Sequence, residues 1–253
     1  MFTDSHTHLY AKEFKDDLDL VINNALNNKV DRFLLPNIDK KTLPQLMSIC
    51  KEYKNLLFPM LGLHPCSVSA TYKKDLEEIY AYIHALPFIA IGEVGIDLYW
   101  DTTMIKEQEL AFRTQINWAK THSLPLIIHS RNSFDQIYKI MKEEKVNDIT
   151  GIFHCFSGEY DQALKIIDMG FYLGIGGVVT FKNSNLKNVI EKIDLEHMVL
   201  ETDSPYLAPH PMRGTRNEPK FLPLVAQKIA EIKNVSIEKI AEITNKNIET
   251  IFF

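Results

Sequence analysis

Short, nearly continuous apolar segments alternate with segments of helical periodicity along the whole chain. Apolar runs of this length, without polar alternation, are typical of strands buried on both faces of a parallel sheet. The pattern predicts eight strands, in the segments MFTDSHTH, RFLLPNI, LLFPMLGLH, FIAIGEVGI, LPLIIHS, TGIFHCFS, FYLGIGGVV and HMVLETD.

Segments with helical periodicity lie between these predicted strands. Residues 43–50 carry apolar side chains at positions i, i+3, i+4 and i+7, residues 222–229 repeat that spacing, and the longest helical segment runs from 104 to 122. Eight strand–helix repeats in 253 residues predict an α/β fold, a single-domain (β/α)8 (TIM) barrel spanning residues 1–253. A doubly wound open sheet is the alternative, and the absence of G-x-G-x-x-G after the first strand weakens it.

Composition places the chain among ordinary globular proteins, with 45% hydrophobic and 24% charged residues. The net charge of −5 provides no global basic field, so a polyanionic substrate would have to be attracted by local groups. We expect no membrane span and no signal peptide. Cys50, Cys66 and Cys155 form no C-x-x-C pair, which favours a reducing compartment and predicts a cytoplasmic protein.

Histidines, carboxylates and one arginine concentrate where the predicted strands end, the end of a barrel at which chemistry collects. They are His6, His8, His64, Glu93, Asp97, His129, Arg131, His154, Glu201 and Asp203. Any one strand-end histidine is more often a hydrogen-bonded structural residue than a ligand. Four histidines and two carboxylates at one mouth, however, form a mixed nitrogen and oxygen set suited to divalent transition metals, and they predict a metal site. We expect the four histidines outside strand ends at the surface: His84, His122, His197 and His210.

Seven motifs occur in order along the chain: DSHTHL (4–9), GLHP (62–65), GEVGID (92–97), IIHSR (127–131), FHCFSG (153–158), ETDSPYLAP (201–209) and RGTRNEP (213–219). Together they resemble the TatD family of metal-dependent deoxyribonucleases, among the amidohydrolase-like TIM-barrel hydrolases. FHCFSG and ETDSPYLAP carry most of the specificity. The resemblance implies six metal ligands, which fall on His6, His8, Glu93, His129, His154 and Asp203.

The resemblance also implies a dinuclear mechanism. It places one divalent ion between the two first-strand histidines and Asp203 and a second between His129 and His154, with Glu93 bridging them. Two cations about 3.5–4 Å apart clamp a scissile phosphate and activate water. Asp203 is the predicted general base, with Glu93 or free hydroxide as open alternatives. The family implies Mg²⁺, whereas the imidazole-rich ligand set favours Zn²⁺ or Mn²⁺.

Substrate contacts are predicted at four positions. His64 resembles a family position near the substrate. Arg131 follows His129 by two residues and is able to pair bidentately with a phosphate. Arg213 and Arg216 lie after the eighth strand, where barrels often bind phosphate. The alternative for each arginine is a solvent-exposed side chain.

The leading hypothesis is a monomeric 3′→5′ exonuclease acting on DNA, single-stranded or at damaged ends. Bases could stack on aromatic residues near the mouth, namely Tyr99, Trp100, Phe156 and Tyr206. The alternative keeps the metal site and hydrolyses a small-molecule amide, ester or lactone. A non-enzymatic barrel with structural metals is a third hypothesis, which the complete ligand set disfavours. Asp4 and Glu201 are candidates to orient metal-bound histidines.

Overall fold

The computed structural model describes residues 1–253 and confirms eight parallel strands. They are β1 (Phe2–Asp4), β2 (Val30–Pro36), β3 (Leu57–Met60), β4 (Ile91–Asp97), β5 (Leu126–Arg131), β6 (Gly151–Phe153), β7 (Phe171–Ile175) and β8 (Met198–Leu200). Each pairs in parallel with its neighbour in sequence within two arcs, β1–β3 and β4–β8.

Two junctions close the arcs into the predicted barrel. Leu61 and Ile91 form a parallel bridge between the third and fourth strands. At the other junction the backbone N–H of Ser5 donates to the carbonyl of Leu200 over 2.9 Å, and Thr7 bridges to Ser204. The ends of all eight strands therefore meet at a common mouth.

Nine α-helices surround this barrel. They are α1 (Leu18–Asn27), α2 (Leu43–Glu52), α3 (Tyr72–Tyr80), α4 (Ile105–His122), α5 (Phe134–Glu143), α6 (Tyr160–Asp168), α7 (Leu186–Lys192), α8 (Leu222–Lys233) and α9 (Ile237–Phe252). The three helical segments expected from apolar spacing correspond to α2, α4 and α8. None of the helices combines the length and the apolar character that crossing a bilayer requires.

Helix α9 lies beyond the eight strand–helix repeats and closes the N-terminal end of the barrel. Its Ile248 and Ile251 join the apolar cluster inside the barrel, whose strand-side members include Leu34, Ile127 and Val199. A second and larger core lies between the strands and the outer helices. With one end filled by apolar side chains, only the C-terminal mouth is open to polar chemistry.

Most strands are shorter than the sequence pattern predicts, and β1 and β7 are two examples. β1 ends at Asp4, so His6 and His8 lie in the segment that follows it rather than on the strand itself. After β7 the chain turns into a 3-10 helix, Gly177–Thr180, instead of continuing the strand. A Cβ on Gly177 would lie 2.1 Å from the carbonyl oxygen of Leu207, so only glycine permits this close approach.

Candidate metal centre

The Glu93 carboxylate, buried at the mouth, lies at the centre of the predicted ligand set. Its Oε2 is 3.1 Å from His6 Nε2 and 3.8 Å from His8 Nε2. Asp203 faces the same pair, with Oδ1 at 3.8 Å from His6 Nε2 and 3.5 Å from His8 Nε2. The donor atoms of His6, His8 and Asp203 lie within 4.8 Å of one another, which is close enough for one ion to be shared.

The other oxygen of Glu93 faces a second group of histidines. Oε1 lies 2.9 Å from His129 Nδ1, 3.1 Å from His154 Nε2 and 3.3 Å from His64 Nε2. His64, Glu93 and His129 form a further group with ligand atoms within 4.8 Å of one another. The sequence indicated a substrate contact for His64, and the structure places it among the groups able to hold an ion.

Hydrogen bonds alone do not satisfy all the polar atoms of this cluster. A carboxylate offers about four acceptor sites and a neutral imidazole donates through only one ring nitrogen, yet five imidazoles crowd Glu93. Burial lowers the pKa of His6 and of His64, which favours neutral rings with a free lone pair. His6 Nδ1 is buried without a hydrogen-bond partner. The donor chemistry therefore fits divalent cations.

Burial raises the pKa of Glu93, but the surrounding histidine charges, that of His154 first, outweigh burial and hold it well below its usual range. Burial lowers the pKa of His154, and the charges of Glu93 and Glu201 reverse the shift to well above the ordinary value. For His129 the hydrogen bonds to Asp97 and Glu93 likewise outweigh burial and raise the pKa. Ligation of a cation by these two histidines would therefore release protons.

Neighbouring groups orient the histidines. The Tyr10 hydroxyl donates to the carbonyl of Pro36 over 2.6 Å and lies 2.9 Å from His8 Nδ1. With its hydrogen so directed, Tyr10 accepts from Nδ1–H, which leaves the lone pair of His8 Nε2 facing the centre. Asp97 Oδ2 lies 2.8 Å from His129 Nε2. The sequence singled out Asp97 as a strand-end carboxylate but not its contact with His129, and it gave no sign of the role of Tyr10.

Glu201 and Asp4 differ in what they contact. Glu201 Oε1 accepts from the backbone N–H of Cys155 over 2.6 Å and lies 3.3 Å from His154 Nδ1, which has no hydrogen-bond partner. Its role in orienting that ring stays a prediction. Asp4 does not reach a histidine ring. It accepts hydrogen bonds from Thr202 and from the backbone of His6, so it links the segments that follow β1 and β8.

Asp203 owes its orientation to the backbone. Its φ of 57° lies in the left-handed region, which aspartate tolerates better than most residues. Its N–H donates to the carbonyl of His6 over 2.9 Å. Burial raises its pKa, but the polar contact with His8 and the charges of His154 and His6 outweigh burial and lower it. Asp203 is therefore ionised at neutral pH.

The three arginines predicted to bind substrate have different surroundings. The guanidinium carbon of Arg131 lies 3.8 Å from the centre of the Tyr99 ring. Arg213 donates to the carbonyl of Ala208 over 3.1 Å. Arg216 is held in a bidentate pair with Asp17, at 2.9 and 2.6 Å. A phosphate would have to displace Asp17 to reach it, and the role of Arg216 in substrate binding stays a prediction.

The histidines expected at the surface stay outside the centre. His84 and His210 are exposed, whereas His122 and His197 are half-buried. His122 Nε2 lies 3.0 Å from the Tyr80 hydroxyl, so its environment is structural. None of the four belongs to a group able to hold an ion.

Residues 3–253 match a protein family described as TatD related DNase. The chain is 39% identical over 239 residues to the uncharacterized metal-dependent hydrolase YabD of Bacillus subtilis, covering 94% of this chain and 93% of that protein. It is 34% identical to YcfH of Escherichia coli, also an uncharacterized metal-dependent hydrolase, covering 93% and 89%. The crystal structure of the TatD homologue YjjV from E. coli superposes with a TM-score of 0.93 at 27% identity, covering 99% and 97%.

Proposed function

This chain belongs to the TatD family of metal-dependent hydrolases, and from that premise we propose that it hydrolyses the phosphodiester bonds of DNA. The proposed substrate is a single-stranded or damaged 3′ end, from which nucleotides are removed in the 3′→5′ direction. The observation that supports it best is Glu93, whose Oε2 faces His6 and whose Oε1 faces His129 and His154 at one mouth. A shared carboxylate of this kind suits a pair of ions acting on one phosphate.

His6, His8 and Asp203 would hold one divalent ion and His129 with His154 a second, with Glu93 shared. When bound, such ions neutralise charge on a phosphodiester and acidify water. Asp203 is ionised and faces the centre, so it is placed to take the proton of the attacking water, with Glu93 as the alternative base.

His64 and Arg131 are the proposed substrate contacts nearest the centre. The side chain of His64 is 12% exposed and therefore meets both the ligand cluster and the solvent. Arg131 extends the strand that carries His129. We propose that they contact the phosphate or the leaving group, with Arg213, in the loop after β8, as a further contact.

The ion is a separate part of the proposal. The family favours Mg²⁺, whereas a cluster in which imidazoles outnumber carboxylates favours Zn²⁺ or Mn²⁺. Reconstitution of the chelated protein with each ion, followed by metal analysis, distinguishes them.

We test the reaction with single-stranded DNA labelled at either end, first in EDTA and then with Mg²⁺, Mn²⁺ or Zn²⁺. We expect an added ion to restore release of mononucleotides from the 3′ end. Asp203→Asn should lower the rate by about 10²- to 10⁴-fold, the usual contribution of a positioned base. The exposed Asp194, which precedes β8 at the opposite end of the barrel, provides the matched control Asp194→Asn.

Absence of cleavage with every ion, in protein shown to carry metal, would contradict the proposal. The substrate would then be sought among small-molecule amides, esters and lactones.

We also propose a monomer that acts in the cytoplasm. All three cysteines are free thiols, which suits a reducing compartment. Light scattering of the purified protein at several concentrations tests the monomer, and fractionation of cells tests the compartment.

A further inference from the structure

The arginines of this chain fall into two groups. Arg32, Arg113 and Arg216 each form salt bridges with carboxylates. Arg131 and Arg213 have no carboxylate partner. Arg131 is the last residue of β5, and Arg213 lies in the loop after β8. In an acidic protein, a guanidinium group that no carboxylate neutralises favours an anionic ligand.

Arg131 is part of an aromatic surface. Its guanidinium carbon lies 3.8 Å from the centre of the Tyr99 ring and 5.4 Å from that of Trp100. The two rings are perpendicular, with centroids 5.0 Å apart. Tyr99 is 54% exposed and Trp100 69% exposed, so a large apolar area faces solvent. Adjacent exposed aromatics, unlike scattered ones, mark an interaction surface.

The loop that carries these aromatics is fixed in place by hydrogen bonds. Asp97 Oδ1 accepts from the backbone N–H groups of Tyr99 and Trp100, at 2.9 and 3.1 Å. The buried Gln108 accepts from the N–H of Asp97 over 2.9 Å and donates to the carbonyl of Asp101 over 3.3 Å. A surface held in this way loses little conformational entropy when a ligand binds.

The same carboxylate connects the loop to the metal centre. Its second oxygen, Asp97 Oδ2, lies 2.8 Å from His129 Nε2. Arg131 follows His129 by two residues on β5, and the N–H of Leu98 donates to the carbonyl of Arg131 over 2.9 Å. Asp97 therefore fixes the position of the aromatic loop relative to His129.

We propose that Tyr99, Trp100 and Arg131 form a subsite for an unpaired nucleotide next to the cleaved phosphodiester, an inference that rests on the proposed function. A base stacks on Trp100 and the neighbouring phosphate pairs with the N–H groups of Arg131, which no carboxylate occupies. Stacking needs an exposed base face, so the subsite selects single strands over duplexes. Phe156, another aromatic expected near the mouth, is buried and not available for stacking.

The first test separates base from phosphate recognition. Trp100→Ala and Arg131→Ala are assayed on an oligodeoxythymidylate and on an abasic tetrahydrofuran oligomer of equal length. We expect Trp100→Ala to raise KM for the thymidylate about tenfold more than for the abasic strand, and Trp100→Phe to restore most of it. Arg131→Ala should raise KM for both strands. Tyr82→Ala, which removes an exposed aromatic ring ahead of β4, is the matched control.

Equal losses on both strands for Trp100→Ala would overturn the subsite, since they would report a general disturbance of the loop. An unchanged KM in Trp100→Ala would overturn it as well.

The second test does not depend on hydrolysis. A phosphorothioate oligodeoxythymidylate is titrated into the protein in EDTA while tryptophan fluorescence is recorded. The only other tryptophan, Trp118, is buried, so we expect saturable quenching that is absent in Trp100→Phe and in titrations with blunt duplex. Quenching by single strands without any DNA hydrolysis would support the subsite and contradict the nuclease. Hydrolysis without quenching, or equal quenching by duplex, would overturn the subsite alone.

Discussion

At the scale of single residues, Asp4 is an unusual carboxylate. It is fully buried and accepts hydrogen bonds from the backbone and hydroxyl of Thr202. Burial raises its pKa from 3.8 to about 8, against the opposing effect of these hydrogen bonds. Asp4 is therefore largely protonated at neutral pH in the folded protein and ionised in the unfolded chain, so folding takes up a proton.

This shift predicts a pH dependence of stability. Because the folded pKa is raised, the stabilising contribution of Asp4 is complete below about pH 4 and is lost as the pH rises towards 8. Asp4→Asn mimics the protonated side chain, so the free energy of unfolding of this variant should decrease less as the pH rises. We expect the free energy of unfolding of the variant minus that of wild type to increase steadily from pH 5 to 8, measured by urea titrations in EDTA. Parallel pH profiles for the two proteins would contradict this.

The residue types at the strand ends predicted the ligand set because imidazole and carboxylate groups are recognisable in a sequence. The four predicted histidine ligands face the two predicted carboxylate ligands, Glu93 and Asp203, and ligation of metal by all six stays a prediction. The partners of these side chains could not be predicted. Whether Tyr10 orients His8, or Asp17 occupies Arg216, depends on which loops the barrel brings together.

At the scale of elements, α9 is the main departure from the expected eightfold repeat. The number of strand–helix pairs does not predict a further helix. Helix α9 covers the N-terminal end of the barrel, and this end exists only once the strands have closed into a barrel. Arg32 of β2 pairs with Glu249 of α9 over 2.6 Å, and Asn247 donates to the carbonyls of Leu195 and Met198. The strands, in contrast, were predictable because both faces are buried and both are therefore apolar.

The apolar contribution of α9 is testable at Ile248, which is 1% exposed. We expect Ile248→Ala to lower the free energy of unfolding by about 3 kcal/mol, since a large buried aliphatic side chain is truncated. Catalysis should change little in the folded variant, because α9 lies at the end opposite the metal centre. The measurement is urea unfolding together with kcat. The exposed Lys246 of the same helix gives the control, with Lys246→Ala expected to cost less than about 0.5 kcal/mol.

A destabilisation no larger than that of the control would show that α9 does not support the barrel interior. A folded Ile248→Ala variant without activity would show instead that the two ends of the barrel are coupled.

At the scale of the whole molecule, the charge distribution constrains how the proposed substrate is bound. The net charge is −5, and the unpaired guanidinium groups at the mouth belong to Arg131 and Arg213. If DNA is the substrate, as proposed, these two guanidinium groups provide local attraction for its phosphates in a protein whose overall charge is negative.

This distribution predicts a weak dependence of binding on salt. Single strands release about 0.7 counterions per neutralised phosphate, so two arginine contacts give a slope of log K against log salt near −1.4. Fluorescence anisotropy of a labelled oligodeoxythymidylate between about 50 and 200 mM KCl measures it. Arg131→Ala should reduce the slope by about half. A slope steeper than about −4 would reveal a basic surface that these two residues do not account for.

The closure of the barrel has a consequence for synthesis on the ribosome. Asp4 meets Thr202 across 198 residues, and the N–H of Thr3 meets Asn245 across 242. β1 therefore lacks these partners until the segments after β8 and in α9 have been translated. A chain that ends before β8 carries His6 and His8 but not Asp203, the third residue of the ion site proposed for them.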